Sequence, residues 1–147
     1  MGSIPKLKHK VPIIASGDGA KLFYDTFSSL GMNIYVLDGK AGDASVVKLC
    51  RSIYMKGIAA LLIETQEVSR LYGVEEEVFA SIAGSMNADS FETYSERLIK
   101  GTYKHCERRK HELEDCMNLI EDRGMSGDMT RASIRVYEKI LNREEQH

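Results

Sequence analysis

Gly39-Lys40-Ala41-Gly42-Asp43-Ala44-Ser45-Val46-Val47-Lys48-Leu49-Cys50-Arg51-Ser52 opens the longest helical pattern in the chain. Glycines punctuate its start, and apolar residues at helical spacing carry it to about Tyr72. Helix N-termini present unpaired N–H groups and the positive end of the dipole, so Lys48 beside these glycines makes a seat for an anionic substrate. The plain alternative is a solvated lysine on an ordinary helix. Val46, Leu49, Cys50, Ile53, Tyr54, Ile58, Leu61, Leu62, Val68, Leu71 and Tyr72 form a stripe so wide that the helix is expected to be central and packed all round. Gly73 is its stop.

Upstream, Val11-Pro12-Ile13-Ile14-Ala15 reads as a buried strand closed by the turn Ser16-Gly17-Asp18-Gly19. A helix with Ala20, Phe23, Phe27 and Leu30 inward follows and stops at Gly31, and Asn33 to Leu37 reads as a second strand. A strand, helix and strand joined by a parallel crossover normally belong to a larger sheet, because two strands alone leave pairing edges uncovered. Further strands are therefore expected upstream. Gly17-Asp18-Gly19 begins like a dinucleotide fingerprint, but Leu22 stands where the third glycine would fall, and we reject it as a nucleotide loop. Residues 1–10, with Lys6, Lys8, His9 and Lys10, read as a loop.

Downstream everything is helical in pattern. A short helix with Val78, Phe79 and Ile82 is expected to break at Gly84-Ser85-Met86-Asn87. Asp89, with Glu92 three residues on, suggests a capping box starting a helix through Leu98. Another helix is expected from about Thr102 to Asp122, ended by Gly124, and a last one capped by Asp128, with residues 143–147 frayed.

Length and composition bound the function. At 147 residues and a net charge of −2, with both signs interspersed, the chain suits one globular domain or slightly more and lacks the basic stripe of a nucleic-acid binder. Its longest uncharged apolar stretch, Gly57 to Ile63, is far short of the roughly 20 residues a membrane span needs. A cytoplasmic setting is expected, with no membrane partner. Cys50, Cys106 and Cys116 lack metal or redox spacing and are expected to be reduced, buried thiols. No metal site is expected, since the five-residue steps among His105, Cys106, His111 and Cys116 scatter them around a helix.

Most charge is explained by four-apart pairs, Glu107 with His111, Arg108 with Glu112 and Lys110 with Glu114, each contributing about 0.2–0.5 kcal/mol. Two places resist that account. On the stripe Tyr103, Cys106, Leu113, Met117 and Ile120, the inward position between Cys106 and Leu113 falls at Arg109 or Lys110, which implies an internal ion pair or part of a binding pocket. Lys48, Ser52 and Lys56, at four-residue steps, form a polar strip on the long helix, with Ser45 nearby. An amine and a hydroxyl there could orient a hydroxy acid, the amine moving a proton once desolvated.

Together these residues resemble the β-hydroxyacid dehydrogenases related to 6-phosphogluconate and 3-hydroxyisobutyrate dehydrogenases. The resemblance lies in a final strand, helix and strand, then Gly39-x-x-Gly42-x-x-x-x-x-Lys48 opening a long helix, then an all-helical remainder. Lys48-x-x-x-Ser52-x-x-x-Lys56-Gly57 with Glu64, and Glu107-Arg108-Arg109-x-x-Glu112-Leu113 followed by Gly124, are similar to the phosphogluconate-dehydrogenase-like branch with its own helical C-terminal domain.

The resemblance implies a mainly α fold, with residues 1–38 a C-terminal remnant of a Rossmann domain and 39–147 a helical substrate-binding and dimerisation domain. It implies NAD or NADP as cofactor, a small hydroxy acid as substrate, and a homodimer through the helical domain. Lys48 matches the catalytic lysine that takes the hydroxyl proton. Gly2, Ser3, Gly42 and Ser52 fall at substrate-binding positions, Ser52 where many relatives carry asparagine and Ala44 where many carry glycine. His111 and Glu112 fall where relatives carry a lysine-aspartate pair that reaches the cofactor, with Arg109 the alternative cation for that contact. The chain then resembles the C-terminal half of such an enzyme, silent by itself. The other class of reading is a stand-alone helical dimerisation or anion-binding module without chemistry.

Overall fold

The computed structural model describes residues 4–144, and the chain divides into two compact units, Met1–Gly57 and Ile58–His147. In the first, Ile4–Leu7 form a single helical turn, α1, followed by a 3-10 turn over Lys8–Lys10. Both lie where the sequence suggested a loop. Strand β1 is Ile13–Ser16, α2 is Ala20–Phe27, continued by a 3-10 turn Ser28–Leu30, and β2 is Ile34–Leu37. Gly31 ends the 3-10 turn with φ +78°, a left-handed geometry that costs a side-chain-bearing residue and not glycine.

The strands pair in parallel, Ile13 opposite Ile34 through Ser16 opposite Leu37. Ile34 and Ala20 are buried where α2 covers the sheet, while Tyr35 and Leu22 are exposed. The pair is a two-stranded sheet.

Helix α3 spans Asp43–Tyr72, with Gly73 at φ +72° after it, as its periodicity predicts. Its surroundings differ from expectation. Leu49 and Ile53 are 64% and 75% exposed, Val46, Tyr54 and Leu61 are also exposed, and Ser69 is the buried residue of the helix. A stripe this wide needs neighbours on several sides, and two short strands and an eight-residue helix are too little surface to cover its first half.

The second unit holds α4 (Glu75–Asn87), α5 (Phe91–Lys104), α6 (Cys106–Glu121) and α7 (Asp128–Glu144). α6 packs against α7 and α5, and Cys106, Met117 and Ile120 form its buried core. Helix α4 runs through Gly84–Asn87 instead of breaking there. Ser85 donates to the Ser81 carbonyl inside the helix, and one glycine costs only about 1 kcal/mol. Ser90, not Asp89, caps α5. Its extended backbone turns the hydroxyl onto the Thr93 N–H at 3.3 Å, whereas Asp89 lies 3.3 Å from Arg97.

The expected helix from Thr102 is divided at His105, whose φ −128° and ψ 35° are not helical. The sequence hides this break because the hydrogen-bond ladder almost survives it: His105 N–H reaches Gly101 and Arg109 N–H reaches His105. Tyr103 thus belongs to α5 and is exposed. Of the three cysteines only Cys106 is buried; Cys50 and Cys116 are exposed, contrary to expectation.

Candidate functional site

The best-built feature of the first unit is the start of α3 at the carboxyl ends of the two parallel strands, the edge at which open α/β sheets place ligands. Three hydrogen bonds and one close approach fix it. Ser16, the last residue of β1, accepts the Ala44 N–H on Oγ at 2.9 Å. The Gly17 N–H donates to the Gly39 carbonyl at 3.2 Å, and Gly17, at φ +90°, lies so close to Ala41 that an added Cβ would sit 2.9 Å from its Cα. The Asp43 carboxylate accepts the Lys40 N–H at 2.8 Å.

The amides at this helix start are engaged within the unit. Asp43 N–H donates to Lys40, Ala44 N–H to Ser16, and the Ser45 and Val46 N–H groups to the Gly42 carbonyl. Those four amides are therefore already partnered within the unit and not free for an anion. Gly42, at φ +101°, has open space where a side chain would point. Lys48 is exposed on the next turn, Ser52 is half-buried and Lys56 exposed. Gly2 and Ser3 lie outside the described residues.

In the second unit the two inward cations divide the alternatives the sequence left open. Lys110 pairs with Glu114 at 2.8 Å. Arg109 is half-buried and donates from Nη1 to the Thr102 hydroxyl at 2.8 Å and to the Leu98 carbonyl at 3.3 Å. Gly101 makes room for it, since a Cβ there would stand 2.9 Å from Nη2. His111 joins Glu114 through Nδ1 at 2.9 Å, not Glu107. Lys110 first, then His111, hold the Glu114 carboxyl below the usual range, and Glu114 raises Lys110 in turn.

A cavity of about 350 Å³ also lies in this unit, walled by Val68, Tyr72, Val78, Cys116, Leu119 and Ile120. Polar groups on its wall are occupied internally: the Tyr72 hydroxyl donates to the Leu119 carbonyl, Ser69 to Gln66 and Thr65 to Leu61. Partial burial, then the charges of Asp115 and Glu112, push the Cys116 thiol up, which keeps it neutral and a poor nucleophile. Glu64 closes one side by capping α7, its carboxylate accepting the N–H groups of Met129 and Thr130 at 2.8 and 2.9 Å and the Thr130 hydroxyl at 2.7 Å.

Ser16 and Glu64 are the two residues whose roles sequence reasoning missed. Each caps a helix remote in the chain, and the only local signal was an acid following the apolar run Leu61-Leu62-Ile63. No group of three or more metal-ligating side chains occurs among the described residues, and no helix there is long and apolar enough to cross a membrane.

Comparison with known proteins gives a consistent set of relatives. Residues 70–140 match a domain of unknown function, DUF1932, a C-terminal domain of 3-hydroxyacid dehydrogenase-like proteins. The conserved protein MTH1747, of unknown function and described as structurally similar to 3-hydroxyacid dehydrogenases, is 32% identical with a TM-score of 0.55, the similarity covering 99% of this chain and 55% of that one. A conserved hypothetical protein from Sinorhizobium meliloti is 29% identical with a TM-score of 0.50, over 94% of this chain and 46% of its own. An uncharacterized 28.5 kDa protein from the 7S RNA 5′ region of Methanothermus fervidus is 26% identical over 137 residues, 93% of this chain and 54% of the relative. The chain spans about half the length of these relatives. Its mainly helical fold is similar to the helical domain of hydroxyacid dehydrogenases.

Proposed function

We infer that this chain, with its DUF1932 domain and its likeness to 3-hydroxyacid dehydrogenase-like proteins, is the C-terminal part of an NAD(P)-dependent oxidoreductase that oxidises a small hydroxy acid. The observation that carries the reading is the placement of Lys48 one turn beyond an α3 start anchored at the carboxyl ends of parallel strands. In this reading Lys48 Nζ accepts the proton of the substrate hydroxyl, NAD(P) when bound would take the hydride from the same carbon, and Gly42 and Ser52 contact the substrate.

The turn before α2 is not a dinucleotide seat among the described residues. The Gly17-Asp18-Gly19 turn before α2 lacks the third glycine, and Gly17 is pressed against Ala41 where a pyrophosphate would need the backbone free. The dinucleotide would be held chiefly by another part of the longer protein, with Arg109 and His111 as contacts from this one. Gly2 and Ser3 complete the substrate residues in the reading. A homodimer through the helical domain belongs to it too, supported by the exposed apolar side chains of α3, which association would cover.

The test is a screen of short-chain hydroxy acids with NAD and NADP, using the longer protein that contains these residues. Lys48→Ala is expected to lower turnover by about 10²–10⁴-fold while leaving Tm and dinucleotide affinity in place. Near-normal turnover in that variant removes Lys48 from the chemistry, and absence of hydroxy-acid oxidation in the parent removes the reading. For the 147-residue chain alone, NADH fluorescence titration should show no binding, and micromolar affinity would overturn the division of labour.

A further inference from the structure

We propose that Ser16 is a positioning residue for Lys48, an inference that rests on the proton-acceptor reading of that lysine. Ser16 and Ala44 are 28 positions apart, and the 2.9 Å bond from Ala44 N–H to Ser16 Oγ ties the first turn of α3 to the end of β1. Ala44 and Lys48 are four residues apart in the same helix, so the Lys48 N–H is closed on the Ala44 carbonyl and both side chains share one face. A shift of Ala44 therefore reaches Lys48 through a single peptide unit and a single hydrogen bond.

Two further contacts leave the hydroxyl as the adjustable member. The backbone of Gly17 rests against Ala41, and its N–H is held by Gly39, so the segment before α3 is clamped onto the turn after β1. These contacts fix where the chain enters α3. The bond from Ser16 fixes how the helix is rotated about its own axis, which decides the direction in which Lys48 leaves it. A serine at the end of β1 thereby serves the lysine without needing to touch substrate.

The test uses the chain as it stands. Limited acetylation with a water-soluble N-hydroxysuccinimide ester, read by peptide mass spectrometry, gives the labelling ratio of Lys48 to Lys56, two turns further along α3. Amide exchange at Ala44 is read in parallel. Ser16→Ala is expected to speed exchange at Ala44 by roughly tenfold, and to raise the ratio about threefold as the turn carrying Lys48 loosens. Ser16→Thr keeps the acceptor and should restore both to near the parent values. Faster exchange with an unchanged ratio would make Ser16 a cap and nothing more, overturning the proposal. Should Ser16→Ala not fold, Ser16→Cys, with a weaker acceptor, must move the ratio in the same direction, and an unmoved ratio there is equally fatal. Labelling needs no substrate, so this outcome is separate from turnover in Lys48→Ala, which tests the function itself.

Discussion

Two helices in this chain begin with the same pair of residues, Gly42-Asp43 at α3 and Gly127-Asp128 at α7, and the two starts are built for different ends. Both glycines have positive φ, +101° and +59°. Around Gly127 the space is closed: it is buried, and a Cβ would meet Met117 Sδ at 2.8 Å and Ile120 Cγ2 at 3.1 Å. A Cβ added at Gly42 would meet nothing within 4 Å. The remote caps differ likewise. Glu64 gives α7 a charged acceptor that takes three donors, and Ser16 gives α3 a neutral one that takes a single donor. One start is sealed into a core; the other is held in place and left open.

That contrast can be broken, most severely at Glu64. Glu64→Ala removes the acceptor of two helix N–H groups and of the buried Thr130 hydroxyl, and should cost about 3 kcal/mol, read as a loss of denaturant midpoint. A loss below about 1 kcal/mol would show that water replaces the carboxylate and that the two starts are energetically alike. The glycines sharpen the comparison at the next level. Gly42→Ala pays only the backbone cost of positive φ, about 1–2 kcal/mol, whereas Gly127→Ala adds a collision with Met117 worth about 1–3 kcal/mol more. Equal melting temperatures for the two variants would contradict the difference in packing.

The smallest effect concerns a third start, that of α4, which has acids in its first turn and no side-chain cap at Val74. Hydrogen bonds from Arg70 and then Gln66 hold the Glu75 carboxyl below its ordinary range. A carboxylate lowered by folding contributes stability above its unfolded value, near pH 4.3, and loses it as pH falls through the folded one. Arg70→Ala should therefore lower Tm slightly at pH 7 and leave it unchanged at about pH 2. A difference that persists in acid would assign the effect to packing.

The bounds of α3 and the order of strand, helix and strand were legible in the sequence because they rest on local signals: apolar spacing, and glycines where the chain turns left-handed. The dehydrogenase likeness was legible too, from the Gly39-x-x-Gly42 start and Lys48. What escaped was non-local or nearly continuous. The break at His105 leaves the hydrogen-bond ladder almost intact, and Ser90 displaced Asp89 as a cap through backbone geometry alone. The bonds that define both helix starts come from residues 28 and 65 or 66 positions away, beyond any window of periodicity. The exposed Leu49 and Ile53 show the converse limit, since apolar spacing says which face seeks cover and not whether these residues provide it.

Helix α3 contributes residues to both compact units, about 45 Å of unbroken backbone hydrogen bonding. Split at the boundary between Gly57 and Ile58, it would leave two segments of about 15 residues, each marginal in water without a nucleus beside it. Each segment thus relies on the unit that holds it for the nucleus from which its helix propagates.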